Sequence, residues 1–214
     1  MPLAKDLEPP LGPLAHDAEA MAALAVVPGR DELAHRDALV IERQALFLRL
    51  LFPRLPVLPI LVAGPPHGRD GYAPAGDPAV EAALEALRRV LALPGPTLIL
   101  AAADCSSARA ESAESLDLGR GAARAVREQD RRATDHALAL EPEEFWTAAA
   151  QPSGPAESNP LPAYLMLRLL TAGYAAPGGD EPLRGSILGY LQMQSNTDFV
   201  SATSLVFHRE PRPA

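Results

Sequence analysis

Asp104-Cys105-Ser106-Ser107 is the densest run of reactive side-chain types in the chain, and it directly follows the apolar stretch at residues 97–103. An acid at the C-terminal end of a parallel strand lies where open α/β sheets bind ligands, which makes Asp104 the leading candidate for a polar site. Its plainer use is to cap the following turn through a side-chain hydrogen bond. Cys105 is the candidate reactive thiol. A nucleophilic thiol needs a base and a group that orients the base, and no adjacent residues supply that pair, so a buried or incidental thiol is the competing reading. Ser106, Ser107 and Ser112 lack the Gly-x-Ser-x-Gly turn that exposes a hydrolase serine.

Metal chemistry has thinner support. His16, His35, His67, His136 and His208 are scattered, with no His-x-x-x-His or comparable pair. An oxygenase-type iron needs two imidazoles and a carboxylate on one face, so neither a metal nor any other cofactor is expected. Gly64-Pro65-Pro66-His67-Gly68 is no phosphate loop, because it lacks the Lys-Ser/Thr ending and its prolines remove backbone donors. His67 reads as a solvent-exposed loop histidine. Arg124, Arg127, Arg131 and Arg132 are interspersed with Glu128 and Asp130, the pattern of a solvated helix face rather than a basic docking patch.

These residues are carried on 214 positions, 48% hydrophobic, with a net charge of -8. That length allows a substantial core, and that apolar content argues against disorder throughout. The acidic balance argues against a general nucleic-acid-binding surface. A single cysteine excludes an internal disulfide and a multi-cysteine metal site. The longest apolar runs fall far short of the roughly 20 residues needed to cross a bilayer, and no secretory leader is evident. A cytoplasmic protein with neither membrane nor nucleic-acid partner is expected.

Periodicity places the elements. Residues 1–14 read as a proline-rich lead-in, 15–209 as one α/β domain and 210–214 as a tail. Helices are predicted over 15–25, 31–52, 77–93, 121–140, 141–150 and 162–171. Short apolar runs at 57–62 and 97–103 read as strands, giving a local β-α-β order that favours a parallel sheet. Residues 186–193 and 203–209 read as strands around the turn Ser195-Asn196-Thr197-Asp198. The predicted fold is therefore α/β, with a mixed or mostly parallel central sheet, helices on both faces and a closing strand-turn-strand.

Several segments, taken in order, resemble the MEMO-like family, the B component of the AmmeMemoRadiSam system, whose fold is related to class III extradiol dioxygenases. They are Pro2-Leu3-Ala4-Lys5-Asp6-Leu7-Glu8-Pro9-Pro10-Leu11-Gly12, Asp31-Glu32-Leu33-Ala34-His35, Ile41-Glu42-Arg43-Gln44-Ala45-Leu46-Phe47-Leu48, Ala103-Asp104-Cys105-Ser106-Ser107, Ser158-Asn159-Pro160-Leu161-Pro162-Ala163 and Gly189-Tyr190-Leu191-Gln192. The resemblance covers the C-terminal half of the family pattern. It implies a polar site at Asp104, Ser107, Glu42, Gln44 and Asn196, with the expected histidines replaced by Leu39 and Ser107, and a late cysteine by Asn196 or Thr197. Glu42 and Gln44, two residues apart, do not share one helix face.

The expectation that follows is a non-catalytic structural or protein-interaction subunit. Its missing sheet layer would come from a homo-oligomer or a heteromer. The alternative is a metal-dependent oxygenase-like enzyme whose missing ligands come from another polypeptide.

Overall fold

The structure, a computed structural model, describes residues 15, 17–24, 39–62, 64, 72–94, 97–102, 107–109, 116–150, 159–172, 183–194 and 198–209. The chain divides into two compact units, one comprising residues 1–63 and 81–95, the other 64–80 and 96–214.

In the first unit, α1 (Ala18–Leu24) begins where the Asp17 carboxylate accepts the Ala20 N–H at 2.9 Å, and α2 spans Leu39–Leu51. The part of the predicted 31–52 helix before Leu39 lies outside the described residues. The third helix, α3 (Pro78–Leu91), has residues 78–80 in the second unit and the rest in the first, and it combines several sequence signals: Asp77 caps the Ala79 and Val80 amides, Pro78 occupies the first turn, and Arg88 and Arg89 the last. Proline at that position loses no helical hydrogen bond, and the terminal charges complement the helix dipole. Leu84 is fully buried on this helix.

The second unit contains a three-stranded antiparallel sheet in the order β1-β3-β2. Its strands are β1 (Ser107–Arg109), β2 (Leu183–Gln194) and β3 (Asp198–Arg209). β2 and β3 form a long hairpin whose register runs from Leu183↔Arg209 to Gln194↔Phe199, with a bulge between Ile187 and Gly189. The two strands predicted at 186–193 and 203–209 are thus present and longer than their apolar runs. α4 (Leu116–Leu138) packs along the sheet, followed by α5 (Pro142–Ala149) and α6 (Leu161–Thr171).

The α4 helix ends in a Schellman turn. The Glu141 and Leu140 amides donate to the His136 and Ala137 carbonyls at 3.0 Å each, and Leu140 takes a φ of +58°. Beyond it, Trp146 stacks edge-on against Tyr72 and Tyr164, each at 5.8 Å, and its indole N–H donates to the Tyr72 carbonyl. Leu161, Tyr164, Leu165, Leu167 and Leu169 of α6 complete this small core.

A mostly parallel central sheet is not what the described residues contain. Residues 97–102 join no ladder, and Leu98 is 66% and Leu100 54% exposed. Within residues 57–62, Val57 forms an isolated bridge rather than a ladder, and its amide donates to the Ala15 carbonyl at 2.9 Å. An apolar run records a capacity for burial; a strand also needs a neighbouring strand to form a ladder with its backbone groups.

Candidate functional site

Of the residues proposed for a polar site, Gln44 is the one whose side chain is among those described. Asp104, Cys105 and Asn196 lie outside them. Ser107 opens β1 with its backbone opposite Val200, and its side chain lies outside the described set. β1 runs antiparallel to β3, with Arg109 opposite Asp198, so Arg109 rather than Ser107 is nearest the β2–β3 connection. Glu42 sits in α2 with its side chain outside the described set, while Gln44 is half-buried on the same helix. Residues 97–102, which precede Asp104, form no ladder among the described residues. No group of three or more His, Cys, Asp or Glu able to hold a metal ion occurs among the described residues.

Two polar clusters do have defined geometry. In the first, the Tyr164 hydroxyl donates to the Glu143 carboxylate at 3.0 and 3.1 Å and accepts from the Arg168 guanidinium at 2.8 Å. Burial pushes the Tyr164 phenol up to about 12; the Arg168 bond pulls against that and Glu143 adds to it. A phenol that holds its proton this firmly is no acid at neutral pH. The cluster ties α5 to α6.

The second cluster joins α4 to the sheet. The Tyr190 hydroxyl donates to the Asp130 carboxylate at 3.0 Å, and Arg127 donates to the Gln192 side-chain oxygen at 2.7 Å. The Gln192 amide in turn donates to the Ala123 carbonyl at 3.2 Å. Burial raises the Tyr190 phenol, helped by the Asp130 hydrogen bond and charge, while Arg127 and Ser201 oppose the shift. Asp130 and Ser201 are buried in this layer. Asp130 therefore does not belong to the solvated face on which charge alternation placed it. Arg131 does, bonded to Glu128 at 2.7 Å and to Asp135 at 2.9 Å in the open. Sequence periodicity missed Asp130 and Tyr190 because the signal is relational: an acid on the inner stripe of a helix needs a hydroxyl across from it.

These contacts also assign the faces of the hairpin. Tyr190 and Gln192 point toward α4, so alternation turns Leu191 and Met193 to the other side, where they are 54% and 56% exposed. Leu188, at the bulge, is 70% exposed. Ala202 and Ser204, paired with Leu191 and Gly189, are also exposed. β2 stands at the edge of the sheet, with no ladder partner on its outer side among the described residues. What this surface offers is apolar area and backbone hydrogen-bonding groups.

No protein-family model, curated protein or solved structure matches the chain. No helix among the described residues is long and apolar enough to cross a membrane.

Proposed function

We propose that this chain is a non-catalytic structural or protein-interaction subunit that works by association through its antiparallel sheet. The observation that carries this reading is β2, a twelve-residue edge strand with Arg184 as its only charged side chain and no proline. Proteins that remain monomeric blunt such edges with charge, proline, bulges, short strands or a covering element, and the single β2 bulge still leaves residues 189–194 in regular register. Exposed Leu188, Leu191 and Met193 extend the surface beyond the backbone itself. Apolar area grouped in this way is the usual mark of an interaction site.

At a finer level the framework is MEMO-like, supported by the order in which its characteristic segments recur along the sequence. On this reading residues 57–62 and 97–102 are each strands of a mixed or mostly parallel sheet that gain their ladders on association. Exposure of Ile60, Leu61, Leu98 and Leu100 supports it. Sedimentation of the native assembly at micromolar concentration tests the association. The expected species is heavier than the 22.6 kDa chain, and an exclusively monomeric one overturns the reading.

A further inference from the structure

We infer that the partner of β2 is a second copy of this chain, paired antiparallel across a two-fold axis at Leu191. This rests on the association reading above and names its occupant.

Three observations select a second copy. The first is the distribution of charge. Arg184, the strand's only charge, lies near its beginning, so an antiparallel two-fold arrangement carries the two arginines to opposite ends of the contact and leaves the middle uncharged. A partner strand bearing acids would find no cation along the central residues 188–194. The second is the regular stretch between the Leu188 bulge and the β2–β3 connection, residues 189–194. Residues directly opposite in an antiparallel pair share a face, so an axis on Leu191 sets Gly189 against Met193 of the other copy and Tyr190 against Gln192. The missing side chain of Gly189 leaves room for the long, unbranched Met193. The third is the exposure of Leu191 and Met193 on the face away from α4, where Leu191 meets its symmetry mate and Met193 meets Gly189 of the other copy rather than water. An isologous contact of this kind closes on itself as a dimer, and the two three-stranded sheets become one of six strands. The bulge limits regular pairing on the far side of Leu188.

The test uses the full chain. In a Cys105→Ser background, Leu191→Cys places the two thiols opposite one another, at the Cα separation that a disulfide spans. Mild oxidation is expected to convert most of that variant to a covalent dimer. Ala202→Cys, also exposed but on the central strand, is expected to remain at least tenfold less cross-linked. Leu191→Lys and Leu191→Glu are each expected to weaken self-association at least tenfold in sedimentation, and an equimolar mixture of the two to restore it. That rescue also shows that both variants fold. An assembly heavier than the monomer in which Leu191→Cys cross-links no better than Ala202→Cys, or in which the charge pair has no effect, overturns the second-copy inference and leaves the association reading standing. A purified chain that is monomeric alone but heteromeric in its native assembly does the same. A native assembly that is itself monomeric overturns both.

Discussion

Leu140 holds a left-handed backbone conformation at a position where helices usually place glycine. Strain for an L-residue there is about 1–2 kcal/mol, and Leu140→Gly removes it while enlarging the freedom of the unfolded chain by a comparable amount. The expected change is within about 0.5 kcal/mol of zero for Leu140→Gly, whereas Leu140→Val, branched at Cβ, is expected to destabilise by more than about 1 kcal/mol in urea melts. Tyr164 makes a different prediction. Its phenol is raised from an ordinary 10.0 to about 12 in the fold, so the folded state binds that proton more tightly than the unfolded chain. Its contribution is fully present below pH 10 and is lost as pH rises toward 12. Ultraviolet titration of the four tyrosines is expected to show a late component that Tyr164→Phe diminishes, leaving the part that belongs to Tyr190. Neither feature was legible in the sequence. Leu140 looks like an ordinary helical leucine, and nothing near Tyr164 in the chain announces Glu143, which folding delivers from another helix.

Helices were easier to read than strands, for a reason visible in α3 and in residues 97–102. α3 carries its cap, its first-turn proline and its apolar period within one local stretch, and Asp77→Ala is expected to cost about 1 kcal/mol by removing the amide acceptor. Residues 97–102 have the composition of a buried strand, but pairing is decided by distant chain. The closing hairpin was legible because its turn residues lie between two apolar runs. Its close approach to α4 was not. A Cβ on Gly185 would lie 2.8 Å from the Leu138 side chain and 2.9 Å from the Phe207 ring, so this glycine permits the helix to approach the hairpin. Gly185→Ala is expected to destabilise the chain by about 1–3 kcal/mol in chemical melts, the ordinary cost of an added methyl in a packed layer. Of the proposed polar site, the sequence supplied residue types without a geometry that gathers them.

Across the whole molecule, a net charge of -8 sets like-charged copies against each other while the central residues of β2 remain neutral. Added salt screens the repulsion between copies and leaves backbone pairing and apolar contact largely untouched. Self-association is therefore expected to tighten as ionic strength rises from about 0.01 to 0.15 M, read by sedimentation at both; an interface built on ion pairs would loosen instead. The sheet order carries one more consequence. β2 and β3 are joined by a short connection and can zip together as a local hairpin, whereas β1 must close a long loop to reach the far side of β3. During synthesis β1 leaves the ribosome well before the strand it pairs with exists. It must wait unpaired, with α4, α5 and α6 already emerging, until translation delivers β3.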